Sequence, residues 1–592
     1  MSEKINKKIQ EEQLLEKLKQ DYSVSKQAFS EWKQTLEEKE RWLYGKPKEN
    51  TAGKTNINDP RLFSQTFERS IRVMSQLATG KFKGVSSDDT GKNLLMNLIV
   101  DRWVIPNANA QFDFLTKLRM IDWYSLAYGS MVALVDWSVT PTYIGPELYL
   151  VPIRNVYPEP NTSFADMQYC QIVSEVDVSF LKERAGMKGW KNVKLLLEMV
   201  KDTGGFTPSD KDADELSYND EAYNTQTTGN TNYPKVRLCT EYQRDRWITY
   251  ALDYDLILRD IPNPHGNHQL PIVVKYCIPM IDFCFGLSEV EISSSLAGLV
   301  NSLYNLAIDD AKMQLFPPLM IDANSVYLSS IKMGAGRKWM LNGKNARAPE
   351  PFTTNSRGAT SALEMRQMAI GSLQTLAGTS DTTVKQGSEA SMGKTPQALK
   401  MQEARQSSRD EIDRFYMEQF IQAVYTRFAN LIVKMMPQEI TLRLFSTEVK
   451  NIAKAFPDVL TLVYGDIEND EKVTLKLPAN FFEGCSFDYE VTPGSTYKID
   501  QQTQAENLQF ILELSQSSGI ASALEAAGKK LDVAEAINRL LVNSGIADPD
   551  KILIDQVPEG GELQEALPPQ QLMAEPTPMQ APTQQMPAEG ML

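Results

Sequence analysis

The apolar positions of this chain follow helical spacing in some segments and form strand-like runs in others. Residues 3–44 are rich in Glu, Lys, Gln and Leu, and their apolar positions predict one or two amphipathic helices packed on the body of the protein. Residues 45–59 lack such spacing, which predicts a linker or an extended arm. Helical spacing returns at Pro60 and continues to Tyr128, where Gly129 ends it.

Short apolar runs after Gly129 predict strands, with a single helix among them at residues 179–201. The first run, Met131 to Trp137, is mostly apolar and predicts a buried strand. The other runs lie at residues 147–151, 168–178, 236–242, 246–254 and 270–277. Residues 203–233 are polar and rich in turn formers, which predicts a mobile surface insertion. Helices followed by antiparallel strands are typical of an α+β fold.

The stretch from Gly286 to Met436 has the most regular pattern of the chain, and it begins with a helix. Ser288 followed by Glu291 is a capping-box pattern, which satisfies two orphan N–H groups at a helix start. Apolar residues of one helix face follow at Leu296, Leu299, Val300, Leu303, Leu306 and Ala307. A polar stripe on another face consists of Asn301, Asn305 and Asp309. Proline ends the helix at Phe316-Pro317-Pro318, because it lacks the backbone donor.

Two more helices follow within the same stretch, after short strand-like runs at residues 317–358. A second capping-box pattern, Ser361 with Glu364, predicts a helix that ends at Gly378. Residues 378–395 form a polar loop, and Thr395-Pro396 has the residue types of a helix start. No proline or glycine then occurs until Pro437, which predicts a helix from Pro396 to Met436, about 60 Å long.

The C-terminal part alternates again between strand-like and helical patterns. Strands are predicted at residues 440–445, 472–477 and 486–491, and we expect them to rejoin the sheet of the body. Residues 500–545 predict a small helical piece. After about Gly560 the chain is rich in Pro, Gln and Met, which predicts a disordered tail.

Composition and charge narrow the classes of protein to consider. The 592 residues carry a formal net charge of −15, which argues against a protein that coats nucleic acid over its whole surface. The sequence has neither a transmembrane-length apolar run nor a secretory signal pattern at its start, so we expect no membrane partner. Five scattered cysteines fit a reducing compartment. The two histidines, His265 and His268, lie in a Pro/Gly turn and predict no metal site.

One segment, Gly387 to Thr395, comes close to a phosphate-binding loop of the type G-x4-G-K-[ST]. Its first glycine is one position out of register, because Ser388 occupies the required place. No apolar strand precedes the segment, and Pro396 removes an N–H that the phosphate would need. We therefore favour a flexible loop over a nucleotide site. The sequence predicts no catalytic residues, no cofactor and no metal.

A basic cluster stands out between Asn324 and Ala348, where no acidic residue occurs. Its five members are Lys332, Arg337, Lys338, Lys344 and Arg347. In an acidic chain such a local excess indicates either a contact surface for a partner or a solvated face.

The order of helix, small β excursion, antiparallel helix, polar loop and long helix resembles that of the portal (head-to-tail connector) proteins of tailed bacteriophages. Three short sequence segments also resemble the family: Phe316-Pro317-Pro318-Leu319-Met320, Ala127-Tyr128-Gly129-Ser130 and Gly393-Lys394-Thr395-Pro396. In that family's terms, residues 1–59 are an N-terminal helical arm, 60–285 the first part of the wing, 286–315 and 359–378 the stem helices, and 316–358 the clip. Residues 379–395 are the tunnel loop, 396–436 the long wing helix, 437–499 the second part of the wing, 500–556 a helical crown and 557–592 the tail.

The resemblance implies a homo-oligomeric ring, usually of twelve copies, at one capsid vertex of the virion, assembled in the host cytoplasm. Double-stranded DNA passes through such a ring during packaging and ejection. Its expected partners are the large terminase, the major capsid or scaffolding protein and a head-tail adaptor. Lys385 and Lys394 of the tunnel loop are then expected to touch DNA, and the basic cluster to contact a neighbour, the motor or an adaptor. The alternatives are a P-loop ATPase of the packaging machinery and a structural or scaffold protein without a pore.

Overall fold

The computed structural model describes 17 segments of the chain and two short stretches near residue 450. The segments are 2–46, 54–74, 80–84, 91–140, 143–187, 189–203, 235–265, 269–315, 319–320, 340–342, 350–351, 357–377, 396–436, 439–443, 462–466, 471–479, 481–491, and residue 449 with 452–453. The predicted insertion at 203–233, the crown at 500–556 and the tail at 557–592 lie outside these residues, apart from Thr203.

The described residues contain groups of helices and antiparallel sheets, so the fold is α+β. The helices are α1 (Ser2–Ala28), α2 (Ser30–Tyr44), α3 (Arg61–Val73), α4 (Lys92–Ile99), α5 (Ile105–Asn107), α6 (Phe114–Tyr128), α7 (Val178–Arg184), α8 (Val193–Thr203), α9 (Glu289–Leu315), α10 (Arg357–Ala377) and α11 (Pro396–Met435). A π-helical turn, Val100–Val104, joins α4 to α5.

The described strands form five antiparallel sheets. They are β1 (Gly80–Gly84), β2 (Ser130–Val139), β3 (Ile144–Val151), β4 (Val156–Pro158), β5 (Tyr169–Asp177), β6 (Lys235–Gln243), β7 (Arg246–Ala251), β8 (Leu256–Pro262), β9 (Ile272–Tyr276), β10 (Leu319–Met320), β11 (Glu350–Pro351), β12 (Ile440–Arg443), β13 (Val463–Asp466), β14 (Glu471–Leu477) and β15 (Phe487–Val491). Their orders are β4-β5-β6-β7-β8, β3-β2-β9, β12-β14-β13, β1-β15 and β10-β11.

The largest hydrophobic core forms where the C-terminal half of α11 packs against β1, β15 and the helices α4 and α6. Phe420, Tyr425 and Phe428 of α11 are buried there, and the Tyr425 ring stacks on that of Tyr489. The expectation that the C-terminal strands rejoin the sheet of the body is wrong, because β15 pairs with β1 in a two-stranded sheet and β12, β14 and β13 form a sheet of their own. Strand β15 nevertheless packs in this core through Phe487 and Tyr489. The predicted long helix is confirmed from Pro396 to Met435.

The two N-terminal helices pack on the body, as their amphipathic pattern predicts. Leu18 of α1 lies in an apolar cluster with residues of the five-stranded sheet, among them Tyr250. Leu36 and Leu43 of α2 belong to a second core, which also contains Val290 of α9. Burying each such leucine contributes roughly 1.5–3 kcal/mol, so this attachment is strong.

The helices α9 and α10 form an antiparallel hairpin. Strand β10, which follows α9, pairs with strand β11, which precedes α10. Ser288 caps α9 as predicted, because its Oγ accepts a hydrogen bond from the Glu291 N–H at 3.0 Å. The Glu291 carboxylate, which a capping box would direct back to Ser288, instead pairs with Lys39 at 2.9 Å.

Helix α10 begins at Arg357, four residues before the predicted start at Ser361. Its cap comes from the opposite helix, because the Asp310 carboxylate accepts a hydrogen bond from the Ala359 N–H at 3.1 Å. A carboxylate near a helix N-terminus is also favoured by the helix dipole. The start of α10 is therefore determined by a residue of α9.

The single helix predicted at residues 179–201 is wrong, because α7 and α8 are separate. Gly186 and Gly189 lie between them with φ angles of 103° and 94°, which a helix cannot contain. The strands β1, β4, β8 and β13 do not coincide with any of the predicted runs.

Candidate functional site

The hairpin leaves the body at a close crossing of two backbone segments, one after α6 and one before α9. A Cβ atom at position 286 would lie 2.6 Å from the carbonyl oxygen of Gly129, and a Cβ at 129 would clash with the carbonyl of Gly286. The Gly286 N–H donates to the Ser130 Oγ at 2.7 Å. Only glycine fits at both positions, so the base of α9 is fixed to the start of β2.

Next to this crossing lies a group of charged side chains, which we call the junction cluster. It joins α3, α6, β9, α9 and the middle of α11. Its members are Arg69, Arg72, Asp122, Lys275, Glu289, Asp410 and Asp413.

Lys275 is the most deeply buried cation of the junction cluster. It projects from β9, and its side chain is fully buried. Its Nζ lies 2.9 Å from the Asp122 carboxylate and also contacts the carboxylate of Asp413 in α11. This triad connects the sheet, α6 and the long helix through charges that water does not screen.

Arg69 connects the long helix to the hairpin. Its guanidinium lies 3.2 Å from Glu289 in the first turn of α9, and 3.6 Å and 3.7 Å from Asp410 and Asp413 of α11. Arg72 adds a second contact to Asp410 at 3.0 Å. One side chain of α3 therefore pairs with residues of both helices.

In the junction cluster, burial and ion pairing shift the pKa values of the charged groups in opposite directions. Burial alone would lower the pKa of Lys275, but the carboxylates of Asp122 and Asp413 raise it above its ordinary value. Burial raises the pKa of Asp122 to about 6, against the attraction of Lys275. Burial also raises the pKa of Glu289, although Arg69 opposes this. With four carboxylates and three cations, a proton on Asp122 would leave the cluster neutral.

The hairpin carries an exposed apolar surface on the side of α9 that faces away from the body. Its members recur every seventh residue, and we call them the α9 apolar stripe: Ile292, Leu299, Leu306 and Met313. Leu306 is 61% exposed. Seven-residue spacing drifts by only about 20° per repeat around a straight helix, so the four side chains line one narrow face.

The second helix of the hairpin, α10, also carries exposed apolar side chains. They are Leu363, Met365 and Met368, the last of which is 74% exposed. Both helices of the hairpin therefore expose apolar side chains. Methionine side chains are flexible and adapt to irregular partner surfaces.

The predicted polar stripe of α9 is confirmed as a continuous binding face for the chain itself. Asn301, Asn305 and Asp309 hydrogen-bond to residues 54–59, which run along the helix in an extended conformation. The sequence predicts a linker or an extended arm at residues 45–59, and residues 54–59 of that segment are bound to the hairpin.

The residues that the sequence analysis proposed as sites lie outside the described part of the chain. This holds for Lys385 and Lys394 of the polar loop and for all five members of the basic cluster. The near-miss phosphate motif also lies outside it, and the description resumes with Pro396 at the start of α11.

The sequence analysis missed the junction cluster, although two of its members gave a signal. Lys275 is the single charge in the apolar strand Ile272–Tyr276, and Asp122 lies among apolar residues of α6. A charge at a position that must be buried implies a buried partner. What the sequence does not give is which residue that partner is.

Within the described residues, no group of His, Cys, Asp and Glu side chains is arranged to hold a metal ion. No described helix is long and apolar enough to span a lipid bilayer. His265 lies in a buried turn, where its Nε2 is 2.9 Å from the Val135 carbonyl oxygen.

His265 leads to a prediction about pH. Burial lowers the pKa of His265 to about 4, whereas an unfolded chain has a histidine pKa near 6.5. The unfolded state therefore binds more protons between these values, and stability is lost as the pH falls. We expect the free energy of unfolding to drop by about 2 kcal/mol at pH 5 from this group.

Denaturant unfolding at pH 7 and pH 5 measures this loss for the wild type and for His265→Gln. The glutamine amide retains a donor for Val135 but does not titrate, so the variant should lose less stability on acidification. Equal losses in the two proteins would contradict the assignment.

The comparisons with known proteins leave the family open. No protein-family model matches the chain, and no curated protein is similar to it in sequence.

Proposed function

We propose that this chain is a portal-type protein, which forms a ring-shaped channel for double-stranded DNA at one capsid vertex. The observation that carries the proposal is the α9 apolar stripe, whose four side chains remain 37–61% exposed in the described part of the chain. It lies on a hairpin whose base is fixed by the junction cluster and whose second helix leads on to the 40-residue helix α11. This is the order of elements on which the resemblance rests.

A closed ring needs two different surfaces on each copy, because every subunit contacts one neighbour with each side. The hairpin offers such a pair, the α9 apolar stripe and the exposed methionines Met365 and Met368 of α10. In the proposed ring the hairpins stand side by side, and α9 of one copy packs against α10 of the next. Seven-residue apolar spacing is the pattern by which helices pack along their length.

The chemistry of the chain suits a conduit better than a DNA-coating protein. A net charge of −15 repels phosphates over most of the surface, so DNA can slide without strong attachment. Under this proposal Lys385 and Lys394 make brief contacts with the DNA backbone. The cluster of Lys332, Arg337, Lys338, Lys344 and Arg347 binds a neighbour, the large terminase or a head-tail adaptor.

Mass measurement and negative-stain imaging of the purified chain test the proposal. We expect a particle near twelve times 66.6 kDa with an axial hole. Deletion of residues 380–392 should leave this particle assembled but impair DNA packaging. A monomer or dimer under all assembly conditions would overturn the proposal. ATP hydrolysis that is lost in Lys394→Ala would favour the alternative, a packaging ATPase.

A further inference from the structure

Residues 54–59, which we call the strap, connect three helices through polar contacts. The Thr55 N–H donates to Asp309 at 2.9 Å, the Ile57 N–H to Asn305 at 3.0 Å and the Asp59 N–H to Asn301 at 3.1 Å. Asn305 also donates back to the Ile57 carbonyl oxygen at 3.1 Å, so it binds both polar groups of that residue.

The regular spacing of these contacts follows from chain geometry. Two residues of an extended chain span about 6.6 Å, and four residues of a helix span about 6.0 Å. Every second residue of the strap can therefore meet every fourth residue of α9. The polar stripe of α9 is matched to an extended main chain, and its amide side chains recognise backbone groups.

Contacts at the C-terminal end of the strap reach the other two helices. Asn58 donates to the Arg41 carbonyl oxygen at the end of α2 at 3.1 Å. The Asp59 carboxylate pairs with Arg366 of α10 at 3.3 Å. While the strap is bound, it ties the N-terminal helices to both helices of the hairpin.

The attachment of the strap is polar and partly open to water. None of its residues is buried, and the side chain of Ile57 is exposed. Beneath it lies a cavity of about 470 Å³ between α2 and α9, lined by Trp42, Ser302 and Asn305 among others. Hydrogen bonds that exchange for water contribute only about 0.5–1.5 kcal/mol each.

We propose that the strap is a releasable clasp. It holds the hairpin against α2 in the resting state and detaches when the hairpin changes its angle. Within the portal function, on which this role rests, release accompanies the passage of DNA. The clasp opens without unfolding of the cores, because segments with few buried contacts occupy the low end of local stability.

Hydrogen exchange on the purified wild-type protein tests the clasp independently of any DNA function. The amides of Thr55, Ile57 and Asp59 should exchange at least a hundredfold faster than buried amides at residues 420–432 of α11. They should also exchange at least tenfold more slowly than in a free peptide of residues 50–62. Exchange as slow as in α11 would mean that the strap is a fixed part of the core. Exchange as fast as in the peptide would mean that it is not bound.

A reversible cross-link tests whether release is needed. Thr55 Oγ1 contacts the Asp309 carboxylate, so Thr55→Cys with Asp309→Cys places two thiols together. We expect the oxidised variant to form the same particle as the wild type but to package DNA at least tenfold less well. Reduction should restore packaging, and Thr55→Cys alone should not respond to the oxidant.

Equal packaging by the oxidised and reduced forms would overturn the clasp. If the wild type forms no ring and packages no DNA, the proposed function fails, and hydrogen exchange still decides whether the strap opens. If the double variant does not fold, the exchange result on the wild type decides likewise.

Discussion

Replacing Lys275 by methionine is expected to lower the free energy of unfolding by about 3–5 kcal/mol. The change removes the cation between Asp122 and Asp413, so Asp122 is buried without its cation and Asp413 keeps Arg69 at 3.7 Å. Lysine and methionine have similar length and shape, so little packing volume is lost. The loss comes from the electrostatics of the junction cluster.

The pH dependence of the loss separates this cause from a packing defect. Without Lys275, a proton on Asp122 is favoured more strongly in the folded state, and stability relative to the wild type should recover as the pH falls from 8 to 5. The wild type at each pH provides the reference, which removes the contribution of His265. Denaturant unfolding followed by tryptophan fluorescence measures both proteins.

Lys235→Met is the matched control, because Lys235 is exposed and lies 3.8 Å from Glu175. Exposed pairs contribute about 0–1 kcal/mol, and we expect a change in that range. An equally small change in Lys275→Met, without any dependence on pH, would contradict the role given to the junction cluster.

A charge in the α9 apolar stripe is expected to prevent assembly without unfolding the chain. Leu306→Asp changes an exposed side chain, so the isolated subunit should keep its helical content and melting temperature. In the proposed ring the new carboxylate would be buried against the next copy at every contact. A cost of about 3 kcal/mol per contact weakens each contact about a hundredfold, and the ring should dissociate.

A mass measurement under native conditions, at a fixed subunit concentration, shows directly whether the ring dissociates. Val139→Asp provides the control, because Val139 is 67% exposed and lies at the end of β2, away from the hairpin. That variant should assemble like the wild type. A ring of unchanged mass in Leu306→Asp would mean that the stripe faces solvent in the assembly.

Local signals in the sequence predicted much of the fold. The cap at Ser288 and the long helix from Pro396 depend on residues within a few positions of each other, and both are confirmed. The start of α10 was missed, because its cap is Asp310, which is 49 positions away from Ala359. Strand β1 was missed for a similar reason, since Gly80 pairs with Val491.

The junction cluster shows the same limit for the candidate site. The sequence marks Lys275 and Asp122 as unusual, but their shared contact with Asp413 depends on how three elements pack. The polar stripe of α9 could be predicted from the sequence only in part. Its four-residue spacing is visible in the sequence, whereas its partner, the strap, is more than 240 positions away.

The junction cluster holds α11 at Asp410 and Asp413, so the N-terminal part of this helix can act as a lever with that point as its fulcrum. From Met417 onward the helix is buried in the largest core. The ion pairs of Asp410 and Asp413 with the junction cluster lie just before that buried part. From Asp410 back to Pro396 the helix extends about 21 Å. A tilt of about 5° at the fulcrum therefore shifts the Pro396 end by about 2 Å, while the buried half hardly moves. A displacement of the Pro396 end would therefore act on the contacts of Asp410 and Asp413 with Arg69, which also pairs with Glu289 at the base of the hairpin.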